Sequence, residues 1–290
     1  MMCKYPYIRK PHTTRFETRA NIDKRLAATP FGCGQCMPCR INKAREWSHR
    51  LMLEQMAHDH SCFITLTYTD DFCPVDLQPK HLTKFFKKLR KKYGEITIRY
   101  FAVGEYGSLT WRPHYHIALF GLGLEIADDI ESLWGKGFIQ IGELNQTTAR
   151  YIVGYVTKKL TKKGIPKLNG HSPEFQRSSK QRGGMGLASI KKIAENIKND
   201  PNYDGHIIRS LQHGKKTLPL GRYLTHKLAT ELGISEEQFK AEFFLHQEEI
   251  FNQHMRPNEF FYYNVKDEKI HERHVQEKKQ KLYNNRKETL

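Results

Sequence analysis

HYHIALF, at residues 114–120, predicts a β-strand that carries His114 and His116 on one face and Tyr115 on the other, because successive side chains of a strand alternate. Residues 96–105 predict the preceding strand, and the short turn between the two makes an antiparallel hairpin. Residues 62–68 and 138–141 predict further strands. The sequence therefore predicts an α+β fold, in which an antiparallel sheet carries the His-Tyr-His strand centrally and helices pack on one face.

Helical patterns separate and follow these strands. They cover residues 41–58, a stretch from Pro79 to about Gly94, and residues 126–134, 147–163, 187–199 and 235–253. Residues 266–290 are almost all charged or polar and are expected to be partly disordered. We predict three regions: a Cys-rich N-terminal segment and helix at 1–58, a core domain at 59–168, and a basic, mainly helical C-terminal region with a partly disordered tail at 169–290.

The charge of the chain points to a polyanionic partner. Lys and Arg number 48 against 31 Asp and Glu, which gives a formal net charge of +17. Such a charge attracts nucleic acid at long range. No apolar run approaches the roughly 20 residues that a membrane span needs, and the N-terminus has no apolar core of signal-peptide length. A soluble intracellular protein without a membrane partner is expected.

Two imidazoles on one face of a strand predict a metal site when a carboxylate lies near them. The hairpin brings Glu105 close to His114 and His116. Two imidazoles and one carboxylate leave positions for water and phosphate oxygens, which suits Mg²⁺ or Mn²⁺ at a scissile phosphate. A structural histidine pair and a solvated turn glutamate are the alternatives.

A tyrosine pair in the helix predicted at 147–163 supplies candidate nucleophiles. Tyr151 and Tyr155 are one helical turn apart and share a face, and Lys158 follows on or beside that face. A phenol has a pKa near 10, so a nearby cation is needed to stabilise the phenolate. Packing of both tyrosines as core aromatics is the alternative.

The cysteines are grouped near the N-terminus. Cys33, Cys36 and Cys39 stand at double x-x spacing, which is typical of zinc sites. Tetrahedral zinc takes four ligands, and Cys3 or His12 would be the fourth. Three buried thiols or an iron–sulfur cluster are the alternatives.

Basic residues near these elements predict contacts with DNA phosphates. They lie in the helix after Pro79, before the histidine strand and after the tyrosines: Lys84, Lys88, Lys91, Arg112, Lys159 and Lys162. Trp111 and Arg112 could also stack on an unpaired base.

Three segments together resemble a known family. FITLTY at 63–68, RPHYHI at 112–117 and YIVGYVTK at 151–158 stand in the order of the three rolling-circle motifs of HUH-type replication initiators. The resemblance is closest to the gokushovirus branch of the Microviridae, a group of single-stranded DNA bacteriophages. It covers most of the chain, including the cysteine cluster with Arg40 and Trp47 and the PLGRY stretch at 219–223.

The resemblance implies an endonuclease that nicks single-stranded DNA at an origin. His114, His116 and Glu105 would hold the cation, and one tyrosine would attack to form a 5′-phosphotyrosine and free a 3′-OH. The second tyrosine would attack after one round of rolling-circle replication. Relatives with a single tyrosine carry Tyr-x-x-Lys, which matches Tyr155 and Lys158. Host polymerase and helicase are the implied partners, in the cytoplasm of the infected bacterium.

Two other functions remain open from the sequence. A non-catalytic, zinc-containing nucleic-acid-binding protein would account for the charge and the cysteines. An HUH-type transposase would use the same metal and tyrosine chemistry to join strands of different molecules.

Overall fold

The computed structural model describes residues 7–8, 30–31, 34, 36–107, 110–155, 168–180 and 183–254. The chain divides into two compact units, Lys43–Leu232 and a second unit of Met1–Asn42 with Gly233–Leu290. The strands are β1 (Tyr7–Ile8), β2 (Pro30–Phe31), β3 (Ser61–Leu66), β4 (Arg99–Tyr106), β5 (Pro113–Phe120), β6 (Ile139–Glu143), β7 (Phe175–Ser178), β8 (Ser210–His213) and β9 (Lys216–Pro219). The helices are α1 (Met37–Gln55), α2 (Pro79–Lys92), α3 (Ala127–Trp134), α4 (Gln146–Gly154), α5 (Leu187–Lys198), α6 (Gly221–Leu232) and α7 (Glu236–His254).

The larger unit is built on a five-stranded antiparallel sheet. Its strand order is β6-β3-β5-β4-β7, so β5, the strand with His114 and His116, is central as predicted. The predicted hairpin of β4 and β5 is confirmed, and its register pairs Glu105 with His114. The prediction of an α+β fold with an antiparallel sheet is therefore confirmed.

Helices cover both faces of this sheet, so the prediction of helices on one face is wrong. On the α2 face, strand residues such as Ile64, Tyr115 and Ile117 pack against α2 and α3. On the α4 face, their neighbours Phe63, Phe101, Val103, Ala118 and Phe120 pack against α1 and α4. The central strands are apolar at nearly every position, and both of their faces must therefore be covered to remove that surface from water.

The helices begin and end where local chemistry favours it. Pro79 opens α2 at a position whose backbone N–H needs no partner, and a basic last turn complements the carbonyl end. Leu82, Phe85, Phe86 and Leu89 form its buried stripe. Asn145 caps α4, because its side chain accepts from the backbone N–H groups of Thr147 (2.9 Å) and Thr148 (3.0 Å).

The predicted C-terminal region contributes to the sheet. Strand β7 pairs with β4 at the sheet edge, and β8 and β9 form a separate two-stranded hairpin. Sequence patterns predict no strand after residue 141, because these strands are only four residues long and mostly polar. Helices α5 and α6 pack on each other through Ile190, Ala194, Leu224 and Leu228.

The smaller unit is described by a few elements only. Strands β1 and β2 pair antiparallel, with Tyr7 opposite Phe31. Helix α7 begins after Ser235, whose hydroxyl accepts from the backbone N–H of Gln238 at 3.1 Å, as the sequence predicted. Residues 255–290, including the predicted polar tail, lie outside the described residues. Within the described part of the chain, every helix is too short or too polar to cross a membrane.

Candidate active site

Three adjacent strands place one ring at the centre of the candidate site. His116 in β5 is buried, and its Nε2 donates to Oε1 of Glu105 in β4 at 3.0 Å. In the neutral ring Nδ1 is then an acceptor, and the Thr65 hydroxyl in β3 donates to it at 3.0 Å. The imidazole is thus held from both sides, and its orientation and tautomer are set by Thr65 and Glu105.

His114 is fixed in a different way. Its Nδ1 donates to the backbone carbonyl of Arg112 at 2.7 Å, which leaves Nε2 as the acceptor nitrogen of the neutral ring. The same carbonyl accepts from the backbone N–H of Gly107 at 2.9 Å. A Cβ at Gly107 would lie 3.2 Å from Cε1 of His114, so a residue without a side chain lets the ring pack against this turn. An Nδ1–H bonded to a carbonyl is the usual support of a metal-ligating histidine.

Helix α4 brings the two tyrosines onto the same face of the sheet. The His116 ring stacks on Tyr155, with centroids 4.9 Å apart and planes 7° from parallel. Tyr151 meets His116 edge-on at 5.2 Å and Tyr155 at 5.2 Å. The predicted shared face of Tyr151 and Tyr155 is confirmed, and it is the face that His116 occupies.

The hydroxyl of Tyr155 reaches the carboxylate. It forms side-chain hydrogen bonds with Glu105 and Tyr151. Burial raises the pKa of Tyr155 well above its usual value, and the negative charge of Glu105 raises it further. The phenol is therefore a protonated donor, and the Glu105 carboxylate is in position to accept its proton.

The donor chemistry of this site suits a divalent cation. Glu105 and His116 are in direct contact, and Glu105 pairs with His114 in the β4–β5 register. Among the residues that the structure describes, no group of three or more His, Cys, Asp or Glu side chains is gathered closely enough to hold a metal ion. Two imidazoles and a carboxylate on adjacent strands nevertheless form a donor set of the type that binds Mg²⁺, Mn²⁺ or Zn²⁺.

The predicted DNA-binding residues divide between different places. Lys84, Lys88 and Lys91 belong to α2, which packs on the sheet face opposite the tyrosines. Lys88 donates from Nζ to the Leu133 carbonyl at 3.0 Å. Arg112 lies on the same turn that holds His114. Lys158, Lys159 and Lys162 lie outside the described residues, and DNA contacts of the whole set remain predictions.

The cysteine cluster is only partly described. Cys36 is buried and Cys39 is half-buried, whereas Cys33, Cys3 and His12 lie outside the described residues. The predicted zinc site therefore stays a prediction.

Sequence reasoning missed two residues that hold His116. Thr65 donates to the ring, and Phe63 stacks on it at 6.0 Å with planes 9° apart. Both belong to the predicted strand at 62–68, at alternate positions that face the same way. The signal was this alternation, which became informative only once β3 was known to pair with β5.

Comparisons with known proteins place the chain in a family. A family model of replication-associated proteins of the ORF2 type matches residues 61–160, the segment that contains Thr65, Glu105, both histidines and both tyrosines. The chain is 33% identical to the replication-associated protein ORF2 of Spiroplasma virus 4 over 238 residues, which cover 73% of this chain and 70% of that protein.

Two further relatives are similar over shorter lengths. The replication-associated protein VP4 of Bdellovibrio phage phiMH2K is 34% identical over 162 residues, which cover 48% of this chain and 51% of the relative. The replication-associated protein ORF4 of Chlamydia phage 1 is 27% identical over 154 residues, 45% of this chain and 38% of that protein. No solved structure matches the chain. The chain therefore belongs to the ORF2 family of phage replication-associated proteins.

Proposed function

We propose that this protein initiates phage DNA replication by nicking one strand of single-stranded DNA with a tyrosine nucleophile. The observation that carries the proposal is the contact of the Tyr155 hydroxyl with Glu105, beside a His116 ring that is held by Glu105 and Thr65. A buried carboxylate, an oriented imidazole and two phenols within one site are the groups that phosphodiester transesterification requires.

The chain's own residues account for the proton and the new bond. Glu105 accepts the phenolic proton as the Tyr155 oxygen attacks the scissile phosphorus. The bond from phosphorus to the 3′ oxygen breaks, that oxygen takes up a proton, and the 5′ side of the strand remains linked to the tyrosine. Tyr151, whose ring is 5.2 Å from that of Tyr155, is placed for a second attack at the same site after one round.

His114, His116 and Glu105 would hold a divalent cation. When bound, Mg²⁺ or Mn²⁺ supplies charge that polarises the phosphate and offsets its negative charge. Lys158 follows Tyr155 by one turn in the sequence and would contact the same phosphate. The freed 3′-OH would serve as primer for the polymerase of the infected host, with a host helicase opening the duplex.

The two alternative functions are less well supported. A non-catalytic nucleic-acid-binding protein has no need for Tyr155 in contact with a buried carboxylate. A transposase would use the same groups, but the relatives that match this chain are named for replication. Initiation of replication is the function that accounts for both the site and the relatives.

Formation of a covalent adduct tests the proposal directly. We expect the full-length protein, with Mg²⁺ or Mn²⁺, to form a denaturation-resistant adduct with one of a set of overlapping, labelled fragments of the single-stranded phage genome. Chelation of the metal should suppress the adduct, and protease should remove it from the DNA. Absence of an adduct with every fragment and every divalent metal would refute the nicking mechanism.

Thr65 is expected to act through His116. Thr65→Val keeps the shape of the side chain but removes the hydroxyl that donates to Nδ1, so the ring loses one of its two fixed contacts. Loss of such an outer partner typically costs about 10- to 100-fold in activity or metal affinity. We expect the rate of adduct formation to fall by that factor and more metal to be needed for half-maximal rate.

Thr65→Ser is the matched control for this prediction, because it retains the hydroxyl. We expect it to restore most of the rate and of the metal dependence. Equal rates for the Val variant and the wild type would mean that Thr65 does not orient His116.

A further inference from the structure

An open pocket lies beside His114 and is not used by the proposed mechanism. Its volume is about 490 Å³. Arg112, Asp70, Asp71 and Phe138 line it together with His114. The pocket therefore shares a wall with the proposed cleavage site.

The walls of this pocket are fixed by backbone and ionic contacts. The Phe138 carbonyl accepts from the Thr67 N–H at 3.0 Å, which ties the start of β6 to the end of β3. Arg112 donates to the Tyr68 carbonyl at 2.6 Å and forms an ion pair with Asp70. The pocket thus has its shape before any ligand enters, which lowers the entropic cost of binding.

The side chains offer one stacking surface and one polar edge. Phe138 is 67% exposed, an unusual degree for a phenylalanine, although its backbone is held in place. Asp71 supplies carboxylate oxygens that accept hydrogen bonds. The other aromatic at this end of the sheet, Trp111, already stacks on His171 with centroids 5.0 Å apart, so Phe138 is the better platform for a base.

We propose that this pocket binds the base of an unpaired nucleotide next to the scissile phosphate. Phe138 stacks on the base, and Asp71 accepts hydrogen bonds from its edge. Carboxylate oxygens match the amino groups of cytosine, adenine and guanine, whereas thymine presents two carbonyl oxygens and a single N–H. The pocket therefore favours amino-bearing bases over thymine. This inference rests on the proposed function, because it requires a single strand to pass His114.

Two other ligands fit the pocket less well. A phosphate would meet the carboxylates of Asp70 and Asp71, and the adjacent Arg112 is already paired with Asp70. A metal ion would need more ligands than the pocket gathers, since no cluster of three or more His, Cys, Asp or Glu side chains occurs within the described residues. A stacked base uses both the exposed ring and the polar edge.

Equilibrium binding without metal separates this inference from catalysis. We would measure fluorescence anisotropy of labelled oligodeoxycytidine and oligothymidine of equal length, in the presence of a chelator. The two bases have the same ring size and differ in the amino or carbonyl group at position 4. We expect the wild type to bind oligodeoxycytidine more tightly.

Variants of the two proposed contacts give distinct results. Loss of base–aromatic stacking in Phe138→Ala should weaken binding to both oligonucleotides by about 5- to 100-fold, with an unchanged salt slope. Phe138→Trp should retain affinity. Asp71→Asn should reduce the preference for cytosine. Met56→Ala, which removes a side chain that is 64% exposed elsewhere on the same unit, should change nothing.

The outcomes distinguish this inference from the proposed function. Unchanged affinity in Phe138→Ala, or an equal preference in the wild type for both oligonucleotides, overturns the base pocket even if the wild type forms the covalent adduct. Loss of affinity in Phe138→Ala together with a wild type that forms no adduct under any metal would refute nicking and leave the base pocket standing.

Discussion

Replacing Tyr151 and Tyr155 together by phenylalanine is expected to abolish the covalent protein–DNA adduct. Removal of a nucleophile costs on the order of 10⁴-fold or more in rate when the attacking group forms the covalent intermediate. The aromatic packing should survive, because the rings that contact His116 at 4.9 and 5.2 Å remain in the variant. Affinity for single-stranded DNA should therefore stay close to that of the wild type.

The single variants separate the roles of the two tyrosines. Tyr155→Phe removes the hydroxyl that contacts Glu105, so we expect the larger loss in the first cleavage. Tyr151→Phe should still form the first adduct but fail to transfer the strand in a second attack. A denaturing gel of the adduct and an assay for circular product measure these two steps.

Tyr100→Phe provides the matched control for the tyrosine variants. Tyr100 stacks on Phe86 at 3.7 Å, on the sheet face opposite the candidate site, and its loss of a hydroxyl should leave adduct formation unchanged. Circular dichroism would verify that each variant is folded. An adduct formed by the double Phe variant would show that another residue is the nucleophile.

Glu54→Gln is expected to destabilise the larger unit strongly. Glu54 in α1 has 0% exposure, forms an ion pair with Arg99 at the start of β4, and accepts from the Gly186 N–H at 2.6 Å. Removing one partner of a buried pair leaves the other charge uncompensated, which typically costs about 3–5 kcal/mol. Urea unfolding should show a lower midpoint with an unchanged slope.

The pH dependence of this effect has a definite sign. Burial alone raises the pKa of Glu54, but hydrogen bonds with His58, the Gly186 N–H and Arg99 outweigh it, and the pKa lies below its usual value. A carboxyl with a lowered pKa stabilises the fold above its unfolded pKa, about 4.3 for Glu, and loses that contribution as pH falls through the folded value. The difference between wild type and Glu54→Gln should therefore be full at neutral pH and shrink in acid.

Two variants test whether the buried charge itself is responsible. Glu195→Gln, at an exposed position of α5, should change stability by less than about 0.5 kcal/mol. Replacing Glu54 by Leu and Arg99 by Met together should recover much of the lost stability, because no unpaired charge remains buried. Equal unfolding midpoints for Glu54→Gln and Glu195→Gln would contradict the prediction.

The local parts of the fold were predictable because their signals are local. The β4–β5 hairpin followed from two apolar stretches joined by a short turn, and the helices at 79–92 and 127–134 followed from their apolar spacing. The coverage of both sheet faces was not predicted. An apolar strand residue has the same sequence signature whichever face it occupies, so the side on which each helix docks depends on the packing of the whole sheet.

Sequence alone determined that His114 and His116 share a face and that Tyr151 and Tyr155 share another, because strand and helix periods act over a few residues. Tertiary structure alone decided that these two faces meet, and that Thr65 reaches His116 across 51 residues of chain. It also decided that Phe138 stands exposed beside His114. Strand order and helix docking are fixed by burial summed over many distant apolar residues, and no local pattern contains that sum.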